Sequence, residues 1–528
     1  MPVHIKDNSS DKILALELKP IKLNIQKVDI TSPPNIDFLT DEQKIAFDNC
    51  RRFFNGRHGK CHMVLGSAGT GKTTLITMLV HLILHKTNMR VCIASPTHKA
   101  VKITRKLSPF TTQFREFEND RNKVARIDHS RVHYSTVHSL IGWKQFIDEN
   151  GKEKYGPNTY MEGQEPINNF DTIIVDEDSW LETAMVDELL SWKDIVNIIF
   201  VGDMEQIPPI NMKGTKGGVS VIFDKSYHDF HDIRSSTLAT VMRQALDNPV
   251  LAMATSIRLG EYKDRAKNTV VSDTGGVYYL DRRDQDIDTI LIKYFGSDSY
   301  AKDTDYVKIL AYYKDTVELW NHRVRKLLYA DRYPNGHLPI LIPGETIITK
   351  SSIVETDPET GEKIIKHPNF SELRIVKVTP TTMSLIKAIG GNNEAKFTYY
   401  HTEVEYVCDS TGQVLSSTCK ILHEDEQADY AAFMQEWKER ALRLKRAGDK
   451  SGARMSFMQY YSFTKMFVNF TYSHACTVHR SMGSSFDTSI ILEYDIDKIN
   501  RSRATDAYHR KVFYTACSRA ITNNIIIL

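Results

Sequence analysis

Eight residues limit this fold more than any others: Gly66, Ser67, Ala68, Gly69, Thr70, Gly71, Lys72 and Thr73 spell G-x-x-x-x-G-K-[ST]. Such a loop functions between a buried strand and a helix. Its glycines let backbone N–H groups turn inward around a phosphate. The helix that follows adds the partial positive charge of its N-terminus. The flanks agree, with an apolar run at 62–65 before the loop and an apolar helical stretch at 73–85 after it. In this chemistry Lys72 reaches the β- and γ-phosphates and the Thr73 hydroxyl holds Mg²⁺. The expected ligands are therefore ATP and Mg²⁺.

Further short apolar runs stand at 91–94, 172–175 and 198–201, with helical segments between them. Strands alternating with helices imply an α/β fold built on a parallel, helix-flanked sheet. In such sheets ligands collect at the carboxyl ends of the strands, which is where the polar residues here fall. The run at 172–175 delivers Asp176, Glu177 and Asp178. A carboxylate at the end of an apolar strand suits a hold on Mg²⁺, and Glu177 is placed to polarise an attacking water. Three adjacent carboxylates also repel one another and favour a nearby cation.

Two stretches interrupt the alternation. Residues 143–167 are polar and rich in Gly, Asn, Glu and Tyr, which fits a small hairpin insertion. Residues 343–463 begin with strand-like alternation at 345–349, 373–378 and 403–407 and end with helical composition at 424–460. They read as a small all-β unit with a helical tail. Before the sheet, Thr31, Ser32, Pro33 and Pro34 separate residues 1–36 as a flexible or loosely docked arm. Thr40 with Gln43 three residues on is a capping-box spacing at a helix start.

Composition narrows the class. A length of 528 residues suggests roughly three or four folding units. With 68 basic and 66 acidic residues the net charge is +2, which excludes a globally basic coat but permits a local basic groove. No apolar run approaches the ~20 residues of a membrane-spanning helix, and the N-terminus lacks a secretory apolar core. Seven scattered cysteines form no C-x-x-C pair, so neither a zinc site nor a disulfide framework is indicated. These features describe a soluble protein of a reducing cytoplasm.

Taken in order, the motifs resemble those of a superfamily-one helicase. After the phosphate loop, residues 95–100 (S-P-T-H-K-A) resemble motif Ia and residues 135–140 (S-T-V-H-S-L) motif Ib. Asp176-Glu177 resembles motif II, and residues 202–209 (G-D-M-E-Q-I-P-P) motif III. Arg243 resembles the motif IV arginine, residues 478–487 (V-H-R-S-M-G-S-S-F-D) motif V, and residues 514–520 (Y-T-A-C-S-R-A) motif VI. Gln43 resembles an adenine-reading glutamine. Within the superfamily the pattern is most similar to the Dda-like, RecD-like DNA helicases of T-even-type bacteriophages. Three features point there: the short hairpin-like spacer before motif II, the β-rich insertion with a helical tail before motif V, and a final strand-like run, 523–528, soon after motif VI. Three departures stand out. Met482 occupies a motif V position where glutamine is usual, and both the N-terminal arm and residues 105–134 are longer than the pattern expects.

The resemblance implies two RecA-like parallel-sheet lobes with ATP between them. One lobe would comprise 37–142 and 168–240, with 143–167 as a strand-separating pin. The other would comprise 241–342 and 464–528, with 343–463 as an SH3-like, β-barrel-like insertion. Gln43, the phosphate loop, Lys72, Thr73, Asp176, Glu177 and Gln206 would act from the first lobe. Gly483, Arg243 and Arg519 would act from the second, both arginines stabilising charge on the transferring phosphoryl. Thr73 and Asp176 would hold Mg²⁺. Pro96, Thr97, His98, Thr136 and His138, with Thr477 and His479, would contact the single strand, and Tyr160 or Met161, with Tyr155 as a competing candidate, would wedge the duplex. The implied activity is ATP-dependent, 5′-to-3′ unwinding by a monomer acting on single-stranded and forked DNA in replication and repair. A single-strand-binding protein or replisome component is the implied partner. The compartment would be a cytoplasm, that of the host if the chain is phage-encoded. A second reading is a translocase that mainly strips bound proteins from single strands.

Overall fold

A computed structural model of the chain describes residues 9–16, 34–55, 61–110, 129–147, 153–157, 165–208, 220–241, 247–262, 267–335, 337–356, 363–367, 369–387, 394–408, 413–501 and 506–528. Contacts divide the chain into two compact units. Met1–Phe146, Glu153–Trp320 and His474–Leu528 form the first, and Ile147–Lys152 with Asn321–Ser473 form the second.

The first unit contains two six-stranded sheets. The strands of the first are β1 (Cys61–Gly66), β2 (Val91–Ser95) and β3 (Val132–Thr136), then, after a two-stranded hairpin of β4 (Trp143–Ile147) and β5 (Glu153–Pro157), β6 (Thr172–Asp176), β7 (Asn197–Gly202) and β8 (Arg234–Leu238). The spatial order is β3-β2-β6-β7-β1-β8, and every pairing is parallel. The four central strands are almost wholly buried because helices cover both faces. One face packs on the helix Lys72–Lys86 through Leu75, Leu79, Val80 and Ile83, together with Phe47 from the helix Asp41–Arg51. The other face packs on Val186, Leu189 and Leu190 of the helix Thr183–Ser191. The capping box at Thr40 forms as the spacing predicts, with Thr40 N–H on Gln43 Oε1 at 3.0 Å and Gln43 N–H on Thr40 Oγ1 at 3.2 Å.

The second sheet begins with β9 (Val270–Ser272), β10 (Gly275–Leu280) and β11 (Val307–Ala311). The chain then leaves for the second unit. There β12 (Thr346–Thr349), β15 (Glu372–Ile386), β16 (Glu394–Val407), β17 (Val414–Leu422) and β18 (Phe470–Tyr472) form one antiparallel sheet, beside a hairpin of β13 (Ile353–Thr356) and β14 (Lys363–His367). Among the described residues the strand order of this antiparallel sheet is β17-β16-β15-β12-β18. The helical tail is an antiparallel pair, Gln427–Arg446 and Lys450–Thr464, whose Tyr430, Phe433, Trp437 and Phe463 pack on Leu385, Phe397 and Tyr399 of the long strands. β19 (Ala475–Thr477), β20 (Phe486–Leu492) and β21 (Ala520–Ile527) complete the second sheet of the first unit. Its order is β19-β11-β20-β21-β10-β9, parallel except for the edge strand β9. Two helix-flanked, mainly parallel sheets are the two-lobed α/β architecture expected.

The expectation of a loose N-terminal arm needs correction over part of its length. Residues Ser9–Ala15 form a helix with Ile13 fully buried. Lys293 of the helix Ile287–Phe295 reaches the carbonyl oxygens that end it, Ile13 O at 3.0 Å and Leu14 O at 2.7 Å. A cation at the last carbonyls of a helix is favourable, and together with the burial of Ile13 it holds this short segment in place. Among the described residues no helix is long and apolar enough to cross a membrane.

Candidate functional site

The phosphate loop leaves β1 and turns through Gly69 and Gly71, each at φ +80°. Those conformations are the ones a side chain resists. Gly71 also serves as N-cap of the helix Lys72–Lys86, so the first-turn N–H groups open onto the loop. Lys72 Nζ lies within the loop, 2.7 Å from Gly66 O and 3.2 Å from Ser67 O. Thr70 Oγ1 donates to Ser67 O at 2.9 Å, and Gln43 Nε2 donates to Thr70 O at 2.9 Å. Gln43 is fully buried and braces the loop from behind.

Asp176 and Glu177 emerge from the end of β6 as the sequence predicts. Glu177 takes a left-handed backbone at φ 60°, a strained state for a non-glycine residue. Burial, then the neighbouring Glu177 charge, push the Asp176 carboxyl up to about 7, against the pull of Lys72. Asp178 is fully buried, and both of its carboxyl oxygens lack a hydrogen-bond partner. Its pKa lies well above the ordinary range through burial and the nearby carboxylates. A donor set so short of positive charge, with the exposed Thr73 hydroxyl and Asp176 lining one small cavity, fits a divalent cation. The same crowding explains the glycine of G-D-x-x-Q. A Cβ on Gly202 would fall 1.6 Å from Asp178 Oδ1.

The two sheets meet over this site. An amide's orientation follows from its hydrogen-bond network. Set to satisfy both neighbours, Gln206 donates to Glu177 Oε2 at 3.0 Å and accepts from Arg519 Nη2 at 3.3 Å. Arg519 is buried, and its Nη1 also donates to Ser484 O at 3.3 Å. Gly483 precedes that serine at φ +69°, and a Cβ there would lie 2.6 Å from Ala100 Cβ. The carboxylate, glutamine and arginine thus form one bonded chain from β6 to the second sheet. Met482 is buried. Arg243 and Pro209 lie outside the described residues.

The residues assigned to the single strand share a local construction. Thr97, Thr136 and Thr477 end or follow β2, β3 and β19, and each caps the helix that opens there. Their Oγ1 atoms accept from Ala100 N–H at 3.2 Å, Ser139 N–H at 3.2 Å and Arg480 N–H at 3.3 Å. Pro96 and His98 flank the first of these caps, and His98 is exposed. His138 lies edge-on to Trp143 with ring centroids 6.1 Å apart, and burial, then His98, lower its pKa. His479 is buried, with Nε2 2.9 Å from the Tyr508 hydroxyl; burial lowers its pKa to about 4, so it stays neutral near pH 7. Three capped helix starts and neutral imidazoles offer N–H donors, with Lys99 and Arg480 in the first turns of two of these helices. The hairpin of β4 and β5 forms where the pin is expected, but Tyr160 and Met161 lie outside the described residues.

Sequence reasoning overlooked three cross-sheet contacts. Lys99 pairs with Asp305 at 3.1 Å. Ile207 N–H donates to Thr515 Oγ1 at 3.2 Å. Tyr514 bonds to both the phosphate loop and Asp203. Asp305 belongs to no motif; its only signal is its place before the apolar run of β11. Tyr514 and Thr515 stood in a motif read only for its arginine.

The family described as AAA domain matches residues 54–212. The chain is 24% identical to the ATP-dependent DNA helicase dda of Enterobacteria phage T4 over 478 residues, 86% of this chain and 92% of that protein. Among solved structures, the Pif1 helicase from Candida albicans aligns with a TM-score of 0.42 at 13% identity, covering 93% of this chain and 94% of that one. A Bacteroides Pif1 helicase in complex with ADP-AlF3 and ssDNA aligns at 0.41 and 16% identity, covering 93% and 92%.

Proposed function

This chain resembles the Dda-like superfamily-one DNA helicases along most of its length, and from that premise we propose that it couples Mg-ATP hydrolysis to 5′-to-3′ movement on single-stranded DNA and unwinds duplex. The observation that carries the proposal is the Glu177–Gln206–Arg519 chain, which ties a hydrolytic carboxylate beside the phosphate loop to an arginine of the second sheet. In this reading the first lobe spans 37–142 and 168–240. The second spans 241–342 and 464–528, with 143–167 as the pin and 343–463 as the insertion.

Loop N–H groups and Lys72 bind the phosphates, and Gln43 holds the loop in shape. Thr73 and Asp176 would hold Mg²⁺, which would supply charge neutralisation at the phosphate. Glu177 takes a proton from the attacking water. Gln206 holds Glu177 in line, and Arg519, with Arg243, offsets the charge that gathers on the transferring phosphoryl. Because the arginine arrives from the other sheet, hydrolysis is tied to closure between lobes. Capped helix starts on both sheets, at Thr97, Thr136 and Thr477, take turns holding the strand backbone.

The test is ATP hydrolysis with and without oligothymidylate, together with unwinding of duplexes carrying a 5′ or a 3′ tail, with Lys72→Ala as the control. Strong stimulation and unwinding from the 5′ tail alone are expected. Stimulation without unwinding would favour the protein-stripping translocase, and no stimulation by any nucleic acid would reject the motor.

A further expectation concerns the second unit. Lys438, Arg440, Arg443, Lys445, Arg446, Lys450 and Arg454 are all exposed, against Glu439 and Asp449 in the same stretch. We propose that this strip contacts DNA phosphates. Reversing charge at Arg443 and Arg446 should reduce the slope of log affinity against log salt by about 1.4–1.8, near 0.7–0.9 per lost phosphate contact. An unchanged slope would make the strip a solvated face.

A further inference from the structure

One face of the helix Asp506–Cys517 is joined to the loop after β7 by three side chains. Lys511, Tyr514 and Thr515 stand at i, i+3 and i+4, which places them side by side. Lys511 Nζ donates to Met204 O, and Thr515 Oγ1 accepts from Ile207 N–H at 3.2 Å. Between them the Tyr514 hydroxyl accepts from Ala68 N–H at 3.0 Å and donates to Asp203 Oδ2 at 2.6 Å. Tyr514 is 2% exposed. Burial, then the Asp203 carboxylate, hold its hydroxyl well above the ordinary tyrosine range, so it stays a donor.

The second residue of each bond matters. Ala68 belongs to the phosphate loop and lies next to Ser67, whose carbonyl holds Lys72 Nζ. Asp203 opens the turn that carries Gln206. Asp203 Oδ1 accepts from Glu205 N–H at 3.0 Å, and Asp203 O accepts from Gln206 N–H at 3.1 Å. A displacement of Asp203 therefore moves the backbone that aims Gln206 at Glu177 and Arg519.

We propose that Tyr514 is a positioning residue that sets the phosphate loop and the Gln206 turn in register with each other from the second sheet. In this role it acts through Gln206 and is not itself a catalytic residue. Its hydroxyl is bonded to both loops, so the alignment of Glu177, Gln206 and Arg519 depends on the helix Asp506–Cys517 being docked. The inference rests on the ATPase reading above but not on the choice of nucleic acid.

Tyr514→Phe removes the hydroxyl and keeps the ring. The expected result is a fall of about 10-fold in kcat for ATP, with KM for ATP and the melting temperature little changed, because the groups that bind nucleotide remain. That split is the sign of an interaction made only in the transition state. Gln206→Ala with Tyr514→Phe should be no slower than Gln206→Ala alone, since the two act along one path. A Tyr514→Phe kcat within twofold of the parent would overturn the proposal. So would losses that multiply in the double variant, or a loss matched by a higher KM and a lower melting temperature. Rates are read both without nucleic acid and with oligothymidylate. A chain indifferent to nucleic acid then rejects the motor while the Tyr514 comparison still decides this point.

Discussion

Arg519→Ala should lower kcat for ATP by about 10³-fold or more while ATP still binds, the range expected when an arginine that meets transition-state charge is lost. The guanidinium is buried and held from three directions, by Thr515 O at 3.3 Å, Ser484 O at 3.3 Å and the Ser518 hydroxyl at 3.2 Å. Its remaining reach is toward Gln206 and, through it, Glu177. Replacement by lysine should restore little, because an ammonium cannot reproduce the planar fork that spans Ser484 O and Gln206. The measurement is steady-state hydrolysis beside equilibrium binding of a fluorescent ATP analogue. Weak binding with normal turnover at saturation would place Arg519 in ground-state recognition. Turnover within tenfold of the parent would remove it from the reaction.

The interior of the first lobe was legible in sequence, and its edges were not. The four apolar runs read as strands became β1, β2, β6 and β7, the four central strands of the sheet. The two missed strands, β3 and β8, are its two edges. Val132–Thr136 is half-exposed, and Arg234–Leu238 alternates exposed and buried positions with a polar sequence, Arg-Ser-Ser-Thr-Leu. An edge strand solvates one side and carries no continuous apolar run, so hydrophobic pattern alone does not separate it from a loop. The N-terminal helix Ser9–Ala15 escaped for a related reason. Its stability comes from Lys293 and a buried Ile13, partners 280 residues apart in sequence.

The site divides in the same way. Gly69, Gly71, Lys72, Asp176 and Glu177 were readable because local geometry fixes their chemistry: a turn needing positive φ, a helix start, a strand end. Gln206 and Arg519 were found only through family resemblance. What neither route supplied was the bonding between loops. That Gly202 is glycine because Asp178 occupies its Cβ position is a fact of packing, with no trace in spacing.

Arg325→Ala should destabilise the second unit by about 3–5 kcal/mol, the usual cost of leaving one member of a buried ion pair alone. Arg325 and Glu345 are 2% and 0% exposed, with Nε to Oε1 at 2.5 Å and Nη2 to Oε2 at 3.1 Å. Arg325 also donates to Pro339 O at 2.7 Å and lies 3.9 Å over the Tyr472 ring. Glu345 immediately precedes β12, which pairs with both β15 and β18, so its charge sits where the antiparallel sheet is assembled. Hydrogen exchange at β12, β15 and β18 reads the loss directly, since those amides should open more easily by the same free energy. Replacing both partners, Arg325→Met with Glu345→Leu, removes the orphaned charge and should recover most of the stability, because the desolvation cost of both ions disappears along with their attraction. If the single variant costs under about 1 kcal/mol, water must reach Glu345, contrary to its burial. If the double variant is no better than the single, the stacking on Tyr472 and the bond to Pro339 matter more than the charge pair.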